Sequence, residues 1–442
     1  MSDDQTQLLR EIRKACTLKS LTGNDLDLFC VETDIARDPE WSVRDTLRQL
    51  LEDSEDSKIL FCGHGGSGKS TELNKLVSEL DSDAYLVVGF SILPEMQLTD
   101  VNSEDIILVL MERLAAAAEN AGLKVDLQAL KGIYDYFASY TKTEREEDAP
   151  TAKLGAGAKA STPGLFESLL KLLVDFKAEV RYDASNETTR VAQIRKRPGV
   201  LMNHANLLIN AVQQGLPPGK RLLFIVENLD KLEIAIARHV FIEKPSILTG
   251  LNASNIYTIP IFIFHSPEAG VLTEQFQQCI SLPMIKTLNP DGTRAEGFEI
   301  ARQIVLKRLG DQALTDDAMN LLIEKTGGVL RHVFEVISNA TFLKNASVPL
   351  REEQIQGSLL RKRKDLWTTI TLPYEPIPGL ECQEQLYARL RDCSRDQRSG
   401  RPCRPSGLPI DQVLLKSCAL IEYNGEGWLG VHPLVQEILD EI

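Results

Sequence analysis

The sequence predicts an α/β protein whose parallel sheet lies between layers of helix, and three observations predict it. Residues 58–62, 84–92, 222–226 and 256–264 are apolar runs of strand length. Helical stretches separate them, and a strand–helix alternation of this kind closes into a parallel sheet covered on both faces. A glycine-rich turn, Gly63-His64-Gly65-Gly66-Ser67-Gly68-Lys69-Ser70, joins the first run directly to a helical segment.

Taken in order, residues 1–45 form a lead segment, with a helical stretch at 7–14 and an apolar piece at 26–31. A helix over 41–51 precedes the first strand, and another runs from the glycine turn through residue 80. After the second strand, residues 106–118 are rich in Leu, Ala and Met, which favour helix. Residues 123–200 are an excursion inserted before the third strand. It holds a charged patch (142–148) and a tract of small residues (149–164) that reads as a mobile loop. Helical spacing returns at 165–180 and 201–214, and residues 279–284 offer a fifth strand. From Pro290 to about residue 370 the periodicity is helical. A Pro/Arg-rich loop (395–409) precedes a helix over 410–420. Asn424-Gly425 then lies between two strand-like runs, a strong hairpin signal, and a last helix follows.

Bulk properties narrow the function classes. At 442 residues the chain holds two or three domains of roughly 100–200 residues. A net charge of −14 argues against a protein that binds nucleic acid with its whole surface. No apolar run is long enough to span a bilayer. The acidic start, Met1-Ser2-Asp3-Asp4, lacks the apolar stretch of a secretory leader, so none is expected. The 8 cysteines include no Cys-x-x-Cys pair, so reduced thiols in a cytoplasmic protein are expected, with no zinc site.

The glycine turn carries chemistry. In G-x-x-x-x-G-K-[ST] the glycines let backbone N–H groups converge on phosphates, and the helix that follows adds its positive end. Lys69 is expected to neutralise β and γ phosphates and Ser70 to ligate Mg²⁺, with Thr71 beside them. ATP or ADP with Mg²⁺ is the expected cofactor. Such a site needs acids at the end of a neighbouring strand. Glu227, which closes the third run, and Asp230 three residues on fit that place. Glu227 is the second metal candidate.

The run Gly-Ser-Gly-Lys-Ser-Thr-Glu-Leu at 66–73, with apolar strand, acid and Asp230-Lys231, resembles the STAND class of signal-transduction ATPases. Their neighbours are the bacterial and origin-recognition-like AAA+ ATPases. The resemblance implies a three-layer P-loop NTPase core (46–290), a helical lid (291–348) and a C-terminal winged helix (349–442). It implies that Arg331, in Gly327-Gly328-Val329-Leu330-Arg331, reaches the phosphates, and that His432, in Val431-His432-Pro433, touches the β-phosphate of ADP. Those families carry Asp and a second acid where this chain has Glu227 and Asn228. An amide is no general base, so hydrolysis is expected to be slow.

The implied function is a nucleotide-controlled switch or assembly ATPase. Its effector or regulatory protein is separate, homo-oligomers are compatible with it, and a bacterial antiviral defence system would suit the layout. The alternative is an initiator-type or transposition-regulator ATPase on DNA, using the winged helix and Arg361-Lys362-Arg363-Lys364; the charge does not favour it. A metabolic kinase fits least, since no acceptor site is evident.

Overall fold

The computed structural model describes residues 3–142, 162–183, 190–423 and 427–441. Most of the charged patch, most of the small-residue tract and the Asn424-Gly425 turn lie outside the described residues.

Five parallel strands form the central sheet: β1 (Lys58–Cys62), β2 (Tyr85–Ser91), β3 (Arg221–Glu227), β4 (Ser254–Ile259) and β5 (Gln278–Ser281). Their order across the sheet is β2-β3-β4-β1-β5. Alternate residues of a strand face opposite ways, and here both faces are covered. Ile59, Phe61, Leu223 and Ile225 pack with Leu47, Leu51, Leu73 and Leu76 of the helices Val43–Asp53 and Lys69–Glu79. Leu60, Cys62, Phe224 and Val226 enter the larger core with the helices Ser103–Asn120 and Pro198–Gly215. This is why the strands are near-continuous apolar runs. The fold is therefore a three-layer α/β P-loop core.

The run expected as a strand over 256–264 ends early, at Ile259. Pro260 has no N–H for the ladder, and Ile261–Phe264 makes one helical turn. His265 thus follows that turn, where a strand end was expected.

Helix Thr162–Asp183 of the excursion stacks on Ser103–Asn120, and Leu127–Lys142 packs on Thr162–Asp183 and Pro198–Gly215, with Phe137 and Phe176 rings 5.1 Å apart. The lid comprises Gly297–Leu309, Asp316–Thr326 and Leu330–Ala340. The lead segment is packed on it: Gln5 exchanges hydrogen bonds with the backbone of Val348 (2.8 and 3.2 Å). Beyond the helix Glu352–Thr369, the winged helix comprises Gln383–Arg398, Pro409–Lys416, the hairpin β6 (Leu420–Tyr423) and β7 (Trp428–Val431), and Pro433–Glu441. The hairpin joins the core through a parallel bridge, Met284 to Tyr423.

One expectation about cysteine is corrected. Cys393 and Cys403 form a disulfide, with Cα atoms 5.1 Å apart, where free thiols were expected. Cys393 is buried on its helix, and Cys403 is brought beside it by a bridge to Leu429. A separation of 10 residues carries no motif that would have announced the pair.

Candidate functional site

The loop from Gly63 to Gly68 leaves the carboxyl end of β1 and caps the helix Lys69–Glu79. Gly66 has φ +91°, and a Cβ there would stand 2.6 Å from Arg331 Cβ, so only glycine fits. Gly63, at φ +149°, meets the Leu282 carbonyl in the same way at 2.7 Å. Arg331 opens the helix Leu330–Ala340 and lies across the loop, its guanidinium 3.7 Å from the Cβ position of Gly65. The sequence-predicted loop and Arg331 are therefore brought together.

The amino group of Lys69 donates to the carbonyls of Gly63 (2.7 Å) and His64 (3.0 Å) and pairs with Asp230 Oδ2 at 2.9 Å. Asp230, in the turn Leu229–Lys231 after β3, also receives Lys231 at 2.9 Å. Burial would raise its carboxyl pKa, but the two ammonium groups outweigh it and hold the value at about 2. Glu227 differs: burial pushes it up, helped by the charge of Asp230 and opposed by a hydrogen bond from Ser70 and by Lys69. Asn228 takes a left-handed conformation, φ 66°, which Asn tolerates, and its amide donates to Ser91 Oγ at 2.9 Å.

A cavity of about 610 Å³, the size of a small-molecule site, opens beside this loop. Its polar lining includes Gly66, Gly68, Lys69, Ser70, Asp230 and Arg331, and its apolar lining includes Leu21, Phe29, Val31, Ile304 and Phe334. The lead segment supplies part of that apolar wall, a contribution the sequence reading missed. Arg308 holds the segment there, donating to the carbonyls of Ala15 and Thr17 at 2.8 Å each. Thr71 takes part, its hydroxyl accepting the Leu21 N–H at 3.3 Å.

Arg37 was also missed. It is 4% exposed, lies under the loop, and donates to the Ser67 carbonyl at 2.6 Å, to Thr33 Oγ1 at 2.9 Å and to the Pro283 carbonyl. Burial lowers its pKa to about 10, so it stays charged at neutral pH. An arginine in an acidic lead segment gives no local sign of this role.

Two predicted residues sit away from that cavity. His432 is buried against His332, with Nε2 to Nδ1 at 3.0 Å, while its Nδ1 accepts the Leu434 N–H at 3.1 Å. His64 turns its ring to the winged helix, where Nε2 accepts the Glu422 N–H at 2.8 Å. Burial lowers both pKa values, His64 to about 4 and His432 to about 3. These values lie below the 6.5 of an unfolded histidine, so the two rings favour the fold above pH 6.5 and lose that contribution as pH falls toward 4 and 3. Asp230 acts in a lower window, its contribution fading from about 3.8 to about 2. Thermal melts should therefore show Tm level above pH 6.5 and lower by several degrees near pH 4. A Tm unchanged across that interval would contradict neutral, buried rings.

No family model and no curated protein matches the chain. Among solved structures, the crystal structure of Cdc6p from Pyrobaculum aerophilum is similar at 13% identity and a TM-score of 0.31, over 93% of this chain and 97% of that one. Likeness at that level decides nothing about chemistry, which rests on the geometry above. No helix among the described residues is long and apolar enough to cross a membrane.

Proposed function

We propose that this chain binds ATP and ADP with Mg²⁺ at the loop 63–70, hydrolyses ATP slowly, and acts as a nucleotide-controlled switch for a separate partner protein. The observation that carries the reading is Lys69, held by the loop in the wall of a 610 Å³ cavity that has both charged and apolar lining. A polyphosphate suits the cationic lining and a base the apolar lining. The cations support the same reading: Lys69, Arg37, Lys231 and Arg331 line the cavity, as do Lys19 and Arg308. Gly66 leaves no room for a Cβ beside Arg331, so loop and lid close tightly on each other. Ser70 is the hard oxygen donor that would hold Mg²⁺, with Glu227, hydrogen-bonded to it, acting on the ion through water; the ion's chemistry is to neutralise phosphate charge.

Within this reading Arg331 answers to the phosphates from the lid, and loss of the γ-phosphate would release it. His432 influences the site only through His332, the next residue on the helix of Arg331. The DNA reading is weaker on charge. Of the four consecutive cations, Lys362 pairs with Glu335 at 2.6 Å and Arg363 with Glu437 and Glu441, leaving Arg361 and Lys364 exposed.

The deciding experiment is the nucleotide carried by freshly purified protein, identified after denaturation, with turnover measured on the same sample. Near one ADP per chain with turnover below about one per minute, far under the usual enzyme range, is expected. An empty site that neither ATP nor ADP fills would end the proposal. Brisk turnover with salt-sensitive duplex binding would move it to the DNA-associated ATPase.

A further inference from the structure

His64 belongs to the phosphate-binding loop, yet its two ends face different parts of the molecule. Its carbonyl accepts Lys69 Nζ at 3.0 Å and the Ser67 N–H at 3.1 Å. Its ring accepts the backbone N–H of Glu422, in β6 of the hairpin, at 2.8 Å. The loop and the hairpin, 358 positions apart in the chain, thus meet in one residue.

Glu422 is fastened on every side. Its N–H goes to His64, and its carbonyl accepts the Met284 N–H at 3.0 Å. Its Oε2 accepts Ser281 Oγ at 2.7 Å, and Oε1 lies 3.3 Å from His265 Nε2. It is 2% exposed, in a strand whose other residues, Leu420, Ile421 and Tyr423, are apolar and buried. An apolar side chain usually packs there at least as stably as a buried ion pair, so stability alone does not account for a carboxylate.

We propose that Glu422, acting through His64, positions the phosphate-binding loop, so that filling the nucleotide site and docking the hairpin 420–431 are coupled. The inference rests on the nucleotide reading above. Phosphates draw Lys69 toward themselves and away from the His64 carbonyl. The His64 peptide is then free to shift, and its ring carries the change to the Glu422 N–H. Coupling of this kind is reciprocal: a docked hairpin sets the affinity for nucleotide by the same factor by which nucleotide sets docking. Glu422 is a positioning residue, since it takes no part in the cavity wall. His265, just after the turn Ile261–Phe264, and Ser281, the last residue of β5, complete the same clasp.

The test pairs ADP titration with hydrogen exchange of residues 418–431, with and without ADP, on the full chain. ADP should change exchange of that segment in the wild type. His64→Ala should abolish the change and shift the ADP Kd by about tenfold, the scale of one buried hydrogen bond left unmade. His64→Gln, whose amide oxygen can accept the Glu422 N–H, should keep both. Glu422→Leu keeps the N–H that His64 accepts but loses the Ser281 and His265 anchors that fix its place, so it should keep Tm within a few degrees and weaken the ADP-dependent change without abolishing it. ADP binding to wild type without any change in exchange overturns the proposal and leaves the nucleotide reading standing. So does His64→Ala behaving as wild type. Absence of ADP binding by the wild type overturns both.

Discussion

Lys69→Met should lower ADP affinity by about 100-fold or more and also lower Tm. The amino group has three acceptors, the carbonyls of Gly63 and His64 and the carboxylate of Asp230. An ammonium has three donors, so the side chain is fully committed, and a bound polyphosphate must replace one or more of those partners with its own oxygens. Charge-assisted hydrogen bonds contribute about 1.5–3 kcal/mol each, and two of them lost account for about two to four decades of affinity. The stability effect has a different origin. Without Lys69, the Asp230 side chain, 5% exposed, keeps only Lys231 to offset its burial. The double variant Lys69→Met, Asp230→Asn separates the two effects, because a neutral amide should restore part of the Tm and none of the binding. Calorimetric titration and thermal melts on the three proteins decide it. Unaltered ADP affinity in Lys69→Met would remove this loop as the nucleotide site.

What the sequence made legible was what local signals carry. Strands covered on both faces must be apolar throughout, so β1 and β3 were readable as runs, and their flanking helices as what lay between. The glycine loop was readable because each of its residues answers a backbone or phosphate requirement at fixed spacing. Where the reading failed, the cause lay in partners remote in sequence. Nothing around Arg37 shows that the Ser67 and Pro283 carbonyls await it. Leu21, Phe29 and Val31 are an unremarkable apolar stretch until Arg308 and Thr71 draw them over the cavity. The disulfide is formed by chain packing around Leu429, and its two cysteines have no diagnostic spacing. β4 is a local misjudgement: Pro260 was in plain view and ends the strand by lacking a donor.

The same contrast, local acid against remote partner, decides which carboxylate does chemistry. Glu227→Gln should leave ADP affinity within about threefold and cut turnover by about 100-fold or more, the usual contribution of a positioned base. A base must be able to accept a proton near the working pH. Asp230, clamped between two ammonium groups with a pKa of about 2, is poorly suited to that and well suited to holding Lys69. Glu227 is pushed the other way by its burial, and it is hydrogen-bonded to Ser70, which lines the cavity. Asn228 is out of contention, its amide turned to Ser91. Wild-type turnover should therefore rise with pH through the raised pKa of Glu227 and then level off, while Glu227→Gln should give a low, flat profile. Asp230→Asn should show the opposite balance, with weaker ADP binding and a smaller loss in the rate of the bound complex. If Asp230→Asn instead lost turnover at unchanged Kd and Glu227→Gln did not, the two carboxylates would exchange roles, and the ion pair with Lys69 would have to open before each reaction.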